Sequence, residues 1–113
     1  MVFLEKLFKK PIIEEVLIAC KWRCPDSLTV DIKSSADGGY VIFIKNFPGC
    51  ATQAENGKEI FKMVHDAVYT YLGIPREYQP YMETYFPPEE MRKEFNITIP
   101  EKFLNKGLIF QRT

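Results

Sequence analysis

The chain has 113 residues, 46% of them hydrophobic and 14% aromatic, which suits one domain with a packed core and argues against a disordered segment. Fifteen basic residues balance fifteen acidic ones, which argues against a protein whose affinity comes from neutralising a nucleic-acid backbone. No apolar run approaches the roughly 20 residues that a membrane-spanning helix needs. Three cysteines, an odd number, do not indicate a disulfide framework. We expect a single domain over residues 1–113, cytoplasmic and with reduced thiols, and MVFLEKLFKK does not resemble a signal peptide.

Residues 1–25 are predicted to form an N-terminal helical extension. Pro11 fits the first position of a helix over about 11–22, because its missing N–H has no partner there. One helical stripe follows, formed by Ile12, Ile13, Val16, Leu17 and Cys20. A strand is the competing interpretation, because EVLIACKW is also rich in β-formers.

The next segments predict an antiparallel sheet. Apolar and polar residues alternate over about 28–34, the turn SSADGG follows, and 40–45 forms the return strand. A third short strand is predicted at about 49–53. In the return strand Tyr40, Ile42 and Ile44 share one face, whereas Val41 and Phe43 lie on the other. That second face needs a cover, either the N-terminal helix or a second chain.

The best-marked element is a helix over about 57–72. Asn56 is a suitable N-cap, and Glu59 completes a variant of the capping box. Gly73 and Pro75 mark its end. Its apolar residues form one continuous arc, so we expect it to pack on one face of the sheet in an α+β fold.

Residues 74–113 carry weaker signals. REYQPYMETYF is aromatic and irregular, Pro88 opens a predicted short helix, and TIPEKFLNKG resembles another. LIFQ fits a last strand at about 108–112, which would make the sheet four-stranded.

Residues with the chemistry for catalysis or metal binding are few. Cys20 and Cys24 form a single C-x-x-x-C pair, which is too few ligands for zinc. A Cys50/His65 nucleophile pair competes with a structural role for His65, at the border of the helix's buried arc, and the structural role is favoured. No phosphate loop or hydrolase motif is present in the sequence. We therefore expect neither catalytic residues nor a cofactor or metal site.

The order strand, strand, NFPGCATQ, helix resembles the HicB-like antitoxin family over residues 27–73. The family's aromatic strand matches Tyr40–Phe43, and its turn motif matches Phe47, Pro48, Gly49 and Cys50. Thr52 and Gln53 match its short third strand, and Asn56 the residue that caps its helix.

This resemblance implies a partial ribonuclease-H-like fold without catalysis, assembly into homo-oligomers, and binding to a small ribonuclease toxin. The candidate partner-facing and motif residues are Val41, Phe43, Phe47, Pro48, Gly49 and Cys50. The chain departs from the family in its N-terminal extension and in the start of its helix. It also lacks a clear DNA-binding pattern after residue 73, so we do not expect DNA binding.

The sequence is also compatible with two other functions. Double-stranded-RNA-binding domains have the same order of elements: a helix, three strands and a second helix. They bind phosphates with lysines at the start of the second helix, where this chain offers only Lys58 and Lys62. Alternatively, the aromatic stretch 78–86 lines a pocket in a small ligand-binding protein or enzyme.

Overall fold

The structure is a computed structural model that describes residues 11–104. Its elements, in chain order, are α1 (Glu14–Arg23), β1 (Val30–Ser34), β2 (Tyr40–Ile44), β3 (Ala51–Ala54), α2 (Gly57–Tyr71), a 3₁₀ helix (Arg76–Tyr81), α3 (Glu89–Phe95) and α4 (Glu101–Leu104). The predicted α+β class is confirmed. The predicted strand at 108–112 and the first ten residues lie outside the described residues.

The three strands form an antiparallel sheet in the order β1-β2-β3. Ile32 of β1 pairs with Ile42 of β2, which in turn pairs with Thr52 of β3. The predicted strand positions are therefore confirmed, with ends that differ by one or two residues. For residues 14–23 the helical interpretation is right and the competing strand is wrong.

The turn between β1 and β2 sets this register. The N–H of Ser35 donates to the carbonyl of Gly39 over 2.7 Å, and the N–H of Gly38 donates back to Ser35 over 3.1 Å. Gly38 has a φ of 93°, a conformation that residues with a Cβ rarely adopt.

Helix α2 begins and ends where the sequence predicts. The Asn56 side chain accepts hydrogen bonds from the backbone N–H groups of Lys58 and Glu59. A capping box would have the Glu59 carboxylate accept from the N–H of the N-cap residue, Asn56. It accepts instead from the N–H of Glu55, one residue earlier. At the other end Gly73 has a φ of 67° and Ile74 N–H reaches back to Tyr69 over 2.9 Å, which closes a Schellman motif.

The core lies between α2 and the inner face of the sheet. Ile42, Ile44 and Val68 are essentially inaccessible to solvent, at 0%, 1% and 0% exposure. Burying branched aliphatic side chains of this size typically stabilises a fold by about 1.5–3 kcal/mol each. The segment after α2 completes the same core with Ile74, Tyr78, Met82, Tyr85, Phe86, Ile97 and Ile99.

Helix α1 packs on the 3₁₀ helix. The backbone N–H of Ile13 donates to the hydroxyl of Tyr78 over 3.0 Å, and Cys20 is buried in the core. At the other end of α1, the Arg23 guanidinium lies 3.4 Å from the carbonyl oxygen of Gly73. The expectation that the N-terminal helix covers the second face of the sheet is therefore wrong for α1, because α1 packs on the 3₁₀ helix that follows α2.

Candidate functional site

The candidate site is the face of the sheet opposite α2, here called the outer face. Because side chains alternate along a strand, it carries the residues between the buried positions of each strand. Phe43 pairs with Asp31 on one side and Ala51 on the other, and Val41 pairs with Lys33 and Gln53. The outer face is therefore a six-residue patch: Asp31, Lys33, Val41, Phe43, Ala51 and Gln53.

The middle of the outer face is apolar and its margins are mostly polar. Phe43 is 38% exposed, and Val41 is half-buried. Along β1 the Lys33 ammonium lies 3.9 Å from the Asp31 carboxylate, with both side chains reaching solvent. An accessible aromatic ring within a polar rim is the usual composition of a protein-docking surface.

The turn after β2 is held by its own backbone. Phe47 N–H donates to Ile44 over 3.2 Å, and Cys50 N–H donates to Phe47 over 3.1 Å. Gly49 has a φ of 75°, which favours glycine at that position. Pro48 and Gly49 are both exposed, so the tip of the turn faces solvent.

Asn46 fixes this turn to the start of β1, a role that the sequence did not suggest. Its side-chain oxygen accepts from the N–H of Thr29 over 2.7 Å, and its amide donates to the carbonyl of Ser27 over 3.0 Å. Both partners lie at least seventeen residues earlier, so no local pattern reveals them. Asn46 therefore positions the motif without belonging to the outer face.

Phe47 and Cys50 point towards α2. The Phe47 ring stacks on Tyr71, with centroids 4.8 Å apart and ring planes at 26°. Cys50 is 8% exposed, its sulfur lies 4.0 Å from the carbonyl oxygen of Ala67, and burial raises the pKa of its thiol. The six residues singled out from sequence therefore separate. Val41 and Phe43 lie on the outer face, Pro48 and Gly49 at a turn tip, and Phe47 and Cys50 against the helix.

His65 is buried and hydrogen-bonded at both ring nitrogens. Nδ1 lies 2.8 Å from the carbonyl oxygen of Phe61, and the N–H of Tyr85 donates to Nε2 over 2.9 Å. These partners select the neutral ring with the proton on Nδ1. Burial also lowers the pKa of His65. Neither nitrogen is available as a base for Cys50, in agreement with the structural role favoured from sequence.

The aromatic stretch 78–86 mainly fills the core. Tyr78, Tyr85 and Phe86 are each less than a tenth exposed, whereas Tyr81 is 52% exposed. The cavity beside Tyr85 and Phe86 has a volume of about 50 Å³. Ligand pockets in proteins typically measure about 300–1,000 Å³, so this cavity does not suit an organic ligand. A wider, open depression of about 630 Å³ borders Gln79, Pro80 and Thr84 of the same stretch.

The start of α2 offers few cations for duplex RNA. Lys58 and Lys62 are exposed, but Glu59 lies in the same turn and its carboxylate is bonded to the N–H of Glu55. The positive charge of this helix end is therefore partly compensated.

The described residues contain neither a cluster suited to a metal ion nor a helix suited to a membrane. Across residues 11–104, no three His, Cys, Asp or Glu side chains are grouped so that they could hold a metal ion. None of the helices in that range combines the length and apolarity required to cross a membrane.

Part of the chain is similar in sequence to a known protein. A UPF0150 protein of Archaeoglobus fulgidus is 36% identical to this chain over 45 residues. The match covers 40% of this chain and 65% of that protein, which is less than two thirds of its length. No family model matches the chain, and no solved structure matches it significantly.

Proposed function

We propose that this protein is a non-catalytic, HicB-like binding protein of the antitoxin type. In this proposal it assembles with a second copy of itself through the outer face and neutralises a small ribonuclease. The resemblance of NFPGCATQ and the elements around it to that family supports the proposal, as does the observed order of three strands followed by a capped helix. The similarity to a UPF0150 protein is compatible with this proposal but does not identify a partner.

The observation that carries the proposal is the exposed position of Phe43 on the middle strand. The alternate residues of the same strand, Ile42 and Ile44, are buried, so the sheet has one completed face and one open face. A large aromatic side chain at the apolar middle of the outer face gains most from an apolar partner that excludes water from it.

The charges of the outer face favour a second copy as that partner. Asp31 and Lys33 lie two residues apart on β1, beside the apolar centre. In a two-fold symmetric contact the same patch meets itself. Crossing two such sheets about Phe43 brings the Asp31 of one copy towards the Lys33 of the other, so that opposite charges meet at the rim.

Sedimentation velocity of wild type and Phe43→Ser tests the assembly. Truncating one central aromatic residue of an interface costs about 2 kcal/mol, and a two-fold contact of the variant lacks the ring in both copies, so self-association should weaken by at least about 30-fold. Tyr81→Ser is the matched control, because Tyr81 is an exposed aromatic residue of the 3₁₀ helix and not of the sheet. A wild type that remains monomeric at high concentration, or equal loss of assembly in both variants, contradicts the proposed interface.

Co-expression tests the antitoxin part separately. A short basic protein with one histidine, encoded beside this gene, is the expected toxin and should arrest growth when expressed alone. Wild type should restore growth, while Tyr81→Ser retains that capacity. Failure of the wild type to restore growth would contradict the antitoxin function and leave the assembly result intact.

A further inference from the structure

We propose that Asn56 is a site of spontaneous deamidation, and that one of the two products of this reaction separates α2 from α3. Of the four asparagines in the sequence, only Asn56 precedes a glycine. Glycine has no Cβ, so its backbone nitrogen can approach the preceding side chain with little steric hindrance. The outer face takes no part in this reaction, so the inference is independent of the proposed antitoxin function.

The reaction needs only the chain and water. The Gly57 nitrogen loses its proton and attacks Cγ of Asn56, the bond from Cγ to Nδ2 breaks, and ammonia leaves, which closes a succinimide ring. Water reaches this position because Asn56 is exposed. If water attacks Cγ, the ring opens to aspartate and the backbone is unchanged. If it attacks the main-chain carbonyl carbon, the product is isoaspartate, whose backbone runs through Cβ and Cγ and is one carbon longer.

The fold holds Asn56 in a conformation that does not react. Its side-chain oxygen accepts hydrogen bonds from the N–H groups of Lys58, over 3.0 Å, and Glu59, over 3.2 Å. Its ψ of 177° is extended, whereas ring closure requires the Gly57 nitrogen to eclipse the Asn56 Cβ. The first turn of α2 must therefore open before the reaction, and the ends of helices open at a small cost in free energy.

The two products should affect the contact between α2 and α3 differently. Aspartate is as good an N-cap as asparagine, and its negative charge suits the start of a helix. Gly57, however, lies so close to the carbonyl oxygens of Phe95 and Asn96 that there is no room even for a Cβ. The additional backbone carbon of isoaspartate displaces Gly57 relative to the residue before it. This product should therefore lose the close contact with the end of α3, while the aspartate product keeps it.

Prolonged incubation of the folded full chain, followed by proteolysis and peptide mass spectrometry, tests the site. We expect conversion at Asn56 to be several times faster than at Asn46. Asn46 is the internal control, because it is also exposed but precedes a phenylalanine and is held by Ser27 and Thr29. Asn56→Ser keeps an N-cap and should show no conversion at this position.

Glu59→Ala tests whether opening of the first turn controls the rate. It removes the hydrogen bond that the Glu55 N–H donates to the Glu59 carboxylate over 3.0 Å. Loss of about one ordinary hydrogen bond should raise the open population, and with it the rate of conversion, about fivefold. Glu59→Gln is the matched control, since it keeps a side chain that can accept this bond, and it should accelerate conversion less. Hydrogen exchange of the Lys58 N–H measures the opening directly in the same variants.

Separation of the two products by chromatography tests the structural consequence. The isoaspartate form should unfold at a lower denaturant concentration than Asn56→Asp, which reproduces the aspartate product. Three results would overturn the inference. These are conversion at Asn56 that is no faster than at Asn46, a wild-type rate in Glu59→Ala despite faster hydrogen exchange, and an isoaspartate form as stable as Asn56→Asp.

Discussion

His65 illustrates how one residue's surroundings decide between chemistry and structure. Its two ring nitrogens are both committed to backbone groups of Phe61 and Tyr85, and the ring is 8% exposed. The sequence placed His65 at the border of the buried arc of α2, which was enough to favour a structural role. It could not reveal Tyr85 as a partner, because that residue lies twenty positions away.

The buried neutral state of His65 predicts a specific dependence of stability on pH. Burial lowers the pKa of His65 in the folded state below its ordinary value of 6.5. Below pH 6.5 the unfolded chain therefore binds a proton that the folded chain does not. The free energy of unfolding should accordingly fall as the pH drops from that value towards the lowered folded pKa.

Chemical unfolding at about pH 7.5 and about pH 5.5 measures this effect. His65→Gln removes the titrating group and keeps a side chain that can donate and accept. Although less stable at both pH values, it should lose less free energy of unfolding between them than wild type does. An equal loss in the two proteins would show that other groups, such as carboxylates, produce the whole dependence.

At the scale of the elements, the contact between α2 and α3 explains why a glycine begins α2, where helix propensity alone would favour alanine. Gly57 opens α2, and a Cβ there would collide with the carbonyl oxygens of Phe95 and Asn96 at the end of α3. Thr98 N–H also lies 3.4 Å from the carbonyl oxygen of Gly57. Glycine therefore allows the close approach of two backbones.

Gly57→Ala should lower the free energy of unfolding by about 1–3 kcal/mol, the usual cost of overpacking a close contact. Helix propensity alone predicts the opposite sign, a gain of about 0.5–1 kcal/mol. Lys58→Ala, in the same turn and exposed, should change stability little. Denaturant unfolding of the two variants and the wild type measures these differences. A Gly57→Ala variant as stable as the wild type, or more stable, would contradict the close contact between α2 and α3.

Elements defined by local patterns were predictable, and those defined by distant contacts were not. The strands showed alternation, and α2 showed its cap at Asn56 and its stop at Gly73. The 3₁₀ helix carries Pro80 within it and no periodic stripe. Its position depends on contacts such as the one from Ile13 to Tyr78, which span 65 residues and leave no local signal.

At the scale of the whole molecule, the arrangement of the layers is the part that sequence could not supply. Alternation predicted that Val41 and Phe43 share a face, and the structure places them so. It could not decide what covers that face, because α1 is short and its apolar residues suit several surfaces. Helix α1 in fact packs beside the 3₁₀ helix and still exposes Trp22 at 84%.

The proposed assembly predicts that stability depends on protein concentration. When the folded chain associates through the outer face and the unfolded chain does not, the melting temperature rises with concentration. Phe43→Ser should show a much smaller rise, while Tyr81→Ser should behave like wild type. Differential scanning calorimetry over a hundredfold range of protein concentration measures this rise. By mass action, that range corresponds to about 2.7 kcal/mol in the stability of the folded state. A wild-type melting temperature that does not change with concentration would contradict the assembly.

The five-residue loop from Ser35 to Gly39 has a consequence for how this surface can evolve. Neighbouring side chains of β2 point in opposite directions, so a shift of one position in its pairing exchanges the two sets. Deleting one loop residue, if the strand slipped to compensate, would turn Phe43 inward and Ile42 outward. Gain or loss of a single codon in this loop is therefore expected to be far more harmful than most codon replacements there.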